Sequence, residues 1–171
     1  MSSPANPFQP FFDHQRVVVL DGGFATELER WGAPLDSALW SAKLLLDDPD
    51  ALTDVHRSFL EAGADCIATA TYQASFEGFE KIGVGRDEAE RLMLESVSLA
   101  TRAVDDFWAL PENRVLRLRP LVAASLGPYG AFLADGSEYD GRYSVGRDVL
   151  EHFHLDRLGV VASSAADVVA F

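Results

Sequence analysis

Short apolar runs alternate with longer amphipathic segments along this chain. The runs are rich in β-branched or small apolar residues, as buried strands are, and lie at residues 16–23 (RVVVLDGG), 66–71 (CIATAT), 119–128 (RPLVAASLGP) and 168–171 (VVAF). Continuous apolar strands separated by helices are typical of parallel sheets covered by helices. The pattern therefore predicts an α/β fold with parallel strands.

Helical periodicity occupies residues 48–65, 85–108 and 143–167. The first segment is predicted to end at Gly63, since glycine is typical just after a helix, and to bury Leu52, Val55, Phe59 and Leu60. The apolar side of the second is predicted to comprise Ala89, Leu92, Met93, Ala100, Ala103, Val104 and Phe107. The glycine-rich stretch 127–143 predicts an irregular loop that is longer than a connector requires.

Polar residues and glycines gather where the first three predicted strands end. These are Asp21, Gly22 and Gly23, then Thr69, Thr71, Tyr72 and Gln73, then Ser125, Gly127 and Pro128. Parallel α/β folds bind their ligands at the carboxyl ends of the strands. Turn and cap chemistry explains any one of these clusters equally well. Three clusters in succession predict a binding site.

Composition narrows the classes of partner. The 171 residues are enough for one domain, and the net charge of −13 comes from 14 Lys and Arg against 27 Asp and Glu. Because the sequence contains no basic stripe, a nucleic-acid or anionic-membrane partner is not expected. No apolar stretch approaches the ~20 residues that cross a bilayer, and the first residues do not resemble a secretory signal. We expect a soluble, cytoplasmic protein.

Cysteine and histidine offer little metal chemistry. Cys66 is the single cysteine, so the chain contains neither an internal disulfide nor a multi-cysteine metal site, and we expect this residue to be part of the core. Of the four histidines, His14, His56, His152 and His154, only the last two have metal-ligand spacing. Positions i and i+2 of a predicted helix point apart, so all four are predicted to be structural or solvent-facing.

Four separated motifs occur in the order found in a known family: LDGGFATELERWG (20–32), LWSAKLLLDDPDALTDVHRSFLEAGAD (39–65), TATYQAS (69–75) and SLGPYGAFLADGSEYDGRY (125–143). With them the sequence resembles the homocysteine S-methyltransferase family, in particular the branch that uses S-methylmethionine or S-adenosylmethionine. The resemblance runs from about residue 16 to the last residue. It divides the chain into an N-terminal extension, 1–15, and a partial homocysteine-binding barrel domain, 16–171.

The resemblance implies a TIM (β/α)8 barrel. Such a barrel takes ~250 residues, so we expect the N-terminal half, about four β/α units, apparently truncated in strand four. The family transfers a methyl group from a sulfonium donor to the sulfur of homocysteine, giving methionine. Its zinc ion, held by three cysteines, stabilises the homocysteine thiolate. Those cysteines lie farther along the family's sequences and Cys66 matches none of them, so zinc is expected only in the complete enzyme.

Several residues match positions to which the family assigns roles. Asp21, Gly22 and Gly23 match the first-strand motif that holds the amino-acid end of homocysteine, with a plain tight turn as the alternative. Missing Cβ atoms let a ligand approach the backbone closely there. The second-strand segment that lines the pocket is matched by Thr71, Tyr72 and Gln73. The ring of Tyr72 offers a face to the donor cation.

Three further residues are weaker candidates for the pocket. Trp40 lies in a segment that approaches the pocket in the family, but a core aromatic is nearly as good an explanation. Tyr129 and Glu138 belong to the loop after the third strand and could help to close over substrate. Surface-loop chemistry explains Glu138 about as well.

Two other functions stay open. The chain could be an inactive remnant that binds an amino acid or pairs with another half-barrel, or an unrelated barrel enzyme that shares only the architecture. The predicted partners are the small molecules homocysteine and a sulfonium donor. The sequence determines neither the oligomeric state nor which donor is used.

Overall fold

A computed structural model describes residues 6–32 and 43–171 and contains a parallel three-stranded sheet with helices around it. Its strands are β1 (Cys66–Ala68), β2 (Leu121–Ser125) and β3 (Val168–Ala170). Its helices are α1 (Gln9–Gln15), α2 (Phe24–Arg30), α3 (Leu44–Asp47), α4 (Pro49–Ala62), α5 (Phe76–Lys81), α6 (Arg86–Ala109), α7 (Tyr129–Leu133) and α8 (Arg147–Val161). Short 3₁₀ turns cover Pro111–Arg114 and Ser137–Tyr139. Within the described ranges, no helix combines the length and apolar character that crossing a membrane requires.

The strands pair in the order β1, β2, β3. Cys66 lies opposite Leu121 in the first pair, and Ala123 lies opposite Val168 in the second. The predicted α/β class and the strands around residues 66, 121 and 168 are confirmed. Their order follows the chain, as expected when each strand returns to the sheet through a helix.

The strand predicted over residues 16–23 is wrong in extent. Only Leu20 forms a parallel bridge, to Cys66, and no longer ladder develops in that segment. The Val19 carbonyl accepts the Asp65 N–H at 2.7 Å, and the Asp21 N–H donates to the Cys66 carbonyl at 3.0 Å. The segment forms the edge of the described sheet, where Val19 and Leu20 are exposed. The chain then turns away at two glycines and enters α2, so pairing stops after this bridge.

The core lies between the sheet and the pair α4 and α6. The predicted apolar side of α6 is buried throughout, and in α4 Leu52, Val55 and Leu60 are buried while Phe59 packs partly buried against them. Helix α4 ends at Gly63, whose φ of 109° lies in the left-handed region that glycine adopts without strain. Each fully buried Leu or Val contributes ~1.5–3 kcal/mol relative to an exposed one, so this interface stabilises the fold.

Carboxylates fix the register at the amino ends of two strands. Asp65 precedes β1 and accepts the Val19 N–H at 2.9 Å; Asp167 precedes β3 and accepts the Val122 N–H at 2.8 Å. Each aspartate therefore binds the backbone of the preceding parallel segment. Gln15, the last residue of α1, also donates to Asp65, so the predicted N-terminal extension includes a helix that contacts this end of the sheet.

The stretch 127–143 is more regular than predicted. Instead of an irregular loop it contains α7 and the turn Ser137–Tyr139. A Cβ atom on Gly130 would lie only 2.4 Å from the Glu138 nitrogen, so glycine allows α7 and this turn to pack backbone against backbone. A helix of five residues is too short to produce a period that sequence reasoning can detect.

Candidate functional site

A cleft of about 480 Å³ opens at the carboxyl ends of β1 and β2. Segments from four parts of the chain line it: the start of α2, the end of β1 with the residues after it, the end of β2, and the turn after α7. The lining residues are Gly22, Gly23, Phe24, Ala25, Thr26, Ala68, Thr69, Tyr72, Gln73, Ser125, Glu138 and Tyr139. The cleft therefore lies at the edge of the sheet where the sequence predicts a binding site.

Hydroxyl groups join the strand ends behind this cleft. Thr71 Oγ1 donates to the Ser125 carbonyl at 2.7 Å, and the Ser125 N–H donates to Thr69 Oγ1 at 3.0 Å. The two threonine hydroxyls are 2.6 Å apart. Since the single Thr71 proton is directed to Ser125, Thr69 is the donor in that contact. These bonds continue the connection between β1 and β2 beyond the last regular pair and give the back wall a fixed shape.

Close backbone contacts also require glycine in this wall. A Cβ atom on Gly127 would lie 2.6 Å from the Tyr72 carbonyl oxygen and 3.0 Å from the Tyr72 ring. The Gly127 N–H donates to the same carbonyl at 2.9 Å. A Cβ atom on Gly22 would lie 2.9 Å from the Phe59 ring. Glycine at position 127 therefore allows the loop after β2 to lie against Tyr72. Glycine at position 22 allows the segment before α2 to lie against α4.

Five of the residues predicted for the pocket line the cleft: Gly22, Gly23, Tyr72, Gln73 and Glu138. Thr71 is fully buried in the hydroxyl network behind the wall. The ring of Tyr129 packs among those of Phe132, Tyr143 and Phe153, with centroid separations of 5.0–5.6 Å. Trp40 lies outside the described residues. The roles given to these residues stay predictions.

Asp21 lies beside the cleft and is bound to the end of β1. Its Oδ2 accepts the Ala68 N–H at 2.7 Å. Burial raises the pKa of this carboxyl to about 6, although the hydrogen bond from Ala68 acts in the opposite direction. A carboxylate held in a partly desolvated position interacts more strongly with an arriving cation than one in open water.

Sequence reasoning missed part of the lining. Phe24, Ala25 and Thr26 belong to the first turn of α2, and this seven-residue helix is too short for a clear period. The signal that was available is the pair of glycines before them, since a chain that turns at a strand end presents its next residues to the same edge. The sequence pattern does not identify Tyr139 either, although it makes the neighbouring Glu138 a candidate.

The cleft has a negative character. Among the described lining residues Glu138 is the only one with a charged side chain, and it is half-buried. The pKa of Tyr72 is raised, first by its partial burial and then by the charge of Glu138. With 42% of its surface exposed, Tyr72 lines the same cleft as that carboxylate. An aromatic face next to a carboxylate suits a cationic ligand.

The described residues do not fit a zinc ion. Within ranges 6–32 and 43–171, no group of three His, Cys, Asp or Glu side chains comes together in a way that could hold a metal. Cys66 is buried in β1, and burial together with the charges of Asp21, Asp167 and Asp65 raises the pKa of its thiol to about 12. A thiol with that pKa stays protonated at neutral pH, whereas a zinc ligand must be a thiolate.

Comparisons with known proteins agree on one family. Residues 18–171 match the family model described as homocysteine S-methyltransferase. The chain is 50% identical over 165 residues to homocysteine S-methyltransferase YbgG of Bacillus subtilis (strain 168), which covers 96% of this chain and 52% of that protein. It is 49% identical over 163 residues to homocysteine S-methyltransferase 2 of Arabidopsis thaliana, covering 90% of this chain and 49% of that protein.

A solved structure gives the same result. The crystal structure of the homocysteine methyltransferase MmuM from Escherichia coli in its metallated form superposes with a TM-score of 0.87 at 39% identity, covering 96% of this chain and 56% of that chain. The α/β fold with its small parallel sheet matches the N-terminal half of such structures. The chain spans about half the length of the relatives it matches. From residue 18 to residue 171, this chain belongs to the homocysteine S-methyltransferase family.

Proposed function

We propose that this chain provides the binding wall of an enzyme that transfers a methyl group from a sulfonium donor to homocysteine, giving methionine. The observation that carries the proposal is the cleft at the carboxyl ends of parallel strands, whose lining contains both the carboxylate of Glu138 and the partly exposed Tyr72. Family membership supports the reaction class. S-methylmethionine and S-adenosylmethionine are the proposed donors.

The chemistry of a sulfonium donor explains why such a cleft is sufficient to hold it. The homocysteine thiolate attacks the methyl carbon, a new S–C bond forms, and the old S–C bond breaks with its electron pair passing to the donor sulfur. The donor leaves as a neutral thioether, so no acid is needed to protonate it. What the protein contributes is alignment of the two sulfur atoms and stabilisation of the positive charge before transfer. We assign the second task to Tyr72 and Glu138.

The amino-acid end of homocysteine is assigned to residues 21–23 and to Gln73. Gly22 and Gly23 leave room for a carboxylate to approach the backbone, and Asp21 lies beside them as a partner for the ammonium group. Because burial raises the pKa of Asp21 to about 6, acidification below that value neutralises it. Homocysteine binding is therefore expected to weaken as the pH falls from 7 towards 5.

The complete enzyme is proposed to be a (β/α)8 barrel with zinc, as in the family. Zinc would supply thiolate stabilisation, and its ligands would have to come from outside the described residues, which do not form such a group. The contacts assigned to Tyr72, Glu138 and Asp21 do not involve the metal. Donor binding by this chain can therefore be measured without it.

A non-catalytic amino-acid-binding module is the second candidate. The observation behind it is that residues of this chain line the cleft, whereas its single cysteine, Cys66, is buried in β1 with a pKa raised to about 12. Such a module would bind homocysteine or the donor in the same cleft but would form no methionine. The two candidates therefore differ in turnover and agree in binding.

Calorimetric titration with S-methylmethionine and with methionine tests the binding proposal. The two ligands differ in one methyl group and one positive charge, so methionine is the matched neutral ligand. We expect S-methylmethionine to bind at least five-fold more tightly, and the preference to disappear in Glu138→Gln. Equal affinities for the two ligands would contradict the cation site. Methionine formation from homocysteine and S-methylmethionine with added zinc would exclude the non-catalytic candidate.

A further inference from the structure

Arg157 is a buried cation in the wall of the fold. It lies in α8 with 1% of its surface exposed, and its hydrogen bonds to the described residues all go to backbone carbonyls. Its guanidinium carbon lies 4.7 Å from the centroid of the Phe153 ring. Burying a charge is costly unless hydrogen bonds compensate for the lost water. The partners of Arg157 therefore indicate what the residue does.

Three backbone carbonyls accept hydrogen bonds from the guanidinium. Nη1 donates to the Gly127 carbonyl at 2.8 Å, and Nη2 donates to the Tyr72 carbonyl at 2.9 Å and to the Thr71 carbonyl at 3.3 Å. Thr71 and Tyr72 follow β1, whereas Gly127 follows β2. A planar guanidinium with a fixed fork of donors can bridge two chain segments in this way, which a lysine ammonium cannot reproduce.

These carbonyls belong to the residues that shape the cleft. Tyr72 lines the cleft, and its neighbour Gln73 does so as well. Regular strand pairing has ended by this point, since the β1–β2 ladder stops at the pair Ala68 and Ala123. Beyond it the two segments are held by the threonine hydroxyls, by the bond from the Gly127 N–H to the Tyr72 carbonyl, and by Arg157.

We propose that Arg157 is a positioning residue, which fixes the backbone after β1 to the backbone after β2 and so sets the direction in which Tyr72 and Gln73 face the cleft. The inference rests on the proposed function in so far as the cleft binds the donor. Its effect on the two backbone segments can be measured without any ligand.

Arg117 provides a matched control at the other end of the sheet. Its guanidinium also donates to two carbonyls, those of Leu60 at 2.9 Å and Ala64 at 2.8 Å, and it also lies over a ring, 5.1 Å from the centroid of Phe107. These partners precede β1, at the opposite end of the strand from the cleft. Arg117→Met thus removes the same kind of contact from the amino end, and Arg157→Met removes it from the carboxyl end.

Amide hydrogen exchange tests the positioning directly. In Arg157→Met the Gly127 amide is expected to exchange at least ten-fold faster relative to the Val104 amide, which lies in the buried α6 and follows global unfolding. In Arg117→Met the ratio of the two rates is expected to stay within two-fold of the original. Arg157→Lys keeps a charge but lacks the fork and should fall between the original protein and Arg157→Met. Parallel changes of both amides in Arg157→Met would overturn the proposal, because Arg157 would then act on global stability alone.

Titration with S-methylmethionine adds the functional readout. Arg157→Met is expected to weaken binding at least ten-fold, and Arg117→Met less than two-fold. Unchanged affinity in Arg157→Met would contradict the role in shaping the cleft. If the original protein binds no S-methylmethionine while the Gly127 amide still responds selectively, the donor proposal fails and the backbone-fixing role of Arg157 is supported. The two failures are thereby separated.

Discussion

The two ends of the parallel sheet are built from different chemistry. At the amino ends, the carboxylates of Asp65 and Asp167 bind backbone N–H groups of the neighbouring segment, and Arg117 binds the carbonyls that precede β1. At the carboxyl ends, hydroxyls and close glycine contacts join the segments around a cleft. Parallel α/β folds separate stability and ligand binding between these two ends. We therefore expect a change at the amino end to alter stability alone, and a change at the carboxyl end to alter binding, together with stability where it disturbs packing.

The largest expected effect comes from a methyl group at the carboxyl end. Gly127→Ala places a Cβ atom 2.6 Å from the Tyr72 carbonyl oxygen, so one of the two backbones must move. We expect the free energy of unfolding to fall by about 3 kcal/mol, the upper range for overpacking, and S-methylmethionine binding to be lost. Urea denaturation and calorimetry measure the two effects.

Gly159→Ala is the control for that change. Gly159 lies within α8, and an added Cβ atom there would meet no atom within 4 Å. Because alanine has a higher helix propensity than glycine, the free energy of unfolding of this variant is expected to rise by about 0.5–1 kcal/mol. Its affinity for S-methylmethionine is expected to stay unchanged. A Gly127→Ala protein as stable as the original would show that the loop after β2 adapts freely.

Acidification is expected to change stability through two groups at the carboxyl end, whose effects on the free energy of unfolding have opposite signs. Full burial of His56, on α4 beside Phe24, lowers the pKa of its imidazole to about 4, whereas burial raises the pKa of Asp21 to about 6. The contribution of neutral His56 to the free energy of unfolding is complete above pH 6.5 and is lost as the pH falls towards 4. That of Asp21 is complete below pH 3.8 and is lost as the pH rises through 6. Each amounts to about 2–3 kcal/mol, so the two largely cancel between pH 4 and pH 7.

Single variants separate these two contributions. Relative to the original protein, His56→Leu should gain about 3 kcal/mol in unfolding free energy between pH 7 and pH 4, and Asp21→Asn should lose about 2 kcal/mol over the same interval. Denaturation at a series of pH values measures both, with the exposed His14→Gln as the control. A His56→Leu difference that does not vary with pH would mean that the imidazole is not held neutral.

At the amino end, loss of a carboxylate is expected to reduce stability without affecting binding. Asp167→Ala leaves the Val122 N–H without its acceptor, and we expect a loss of about 2 kcal/mol, typical of a hydrogen bond to a charged group. The dissociation constant for S-methylmethionine should stay within two-fold of the original. Loss of affinity in step with stability would contradict the separation of the two ends.

The smallest effect on stability is expected from Glu138→Gln. The side chain is half-buried, and loss of its charge should change the free energy of unfolding by less than about 0.5 kcal/mol. Its effect on the affinity for a sulfonium ligand is expected to be large by comparison, and to decrease as salt is added because salt screens the carboxylate. Arg142→Gln, an exposed charge change in the same stretch, is the control.

Long elements, in which the apolar pattern repeats several times, were predictable from the sequence. Short elements were not. Helix α6 repeats its apolar positions over 24 residues, and α4 adds a glycine that ends it, so both follow from local pattern. The single bridge at Leu20 and the five-residue helix α7 depend on what packs against them. Such contacts join residues that are distant in the sequence, and no local pattern records them.

The site divides in the same way. Tyr72, Gln73, Gly22 and Gly23 are found from sequence because they stand where apolar strands end, and parallel strands bring their carboxyl ends to one edge. Arg157 has no such signal, since one arginine in a helix resembles any other until the loops it binds are in place.

The sequence by itself determined the class of the fold, the edge at which the cleft opens and the family, because periodicity and ordered motifs are local properties of the chain. The tertiary structure alone decided that Thr71 faces the neighbouring strand, that Gly127 approaches Tyr72 and that Arg157 binds three carbonyls. The physical reason is that hydrogen bonds and close packing act over a few ångströms in space, between residues that here are up to 86 positions apart in the chain.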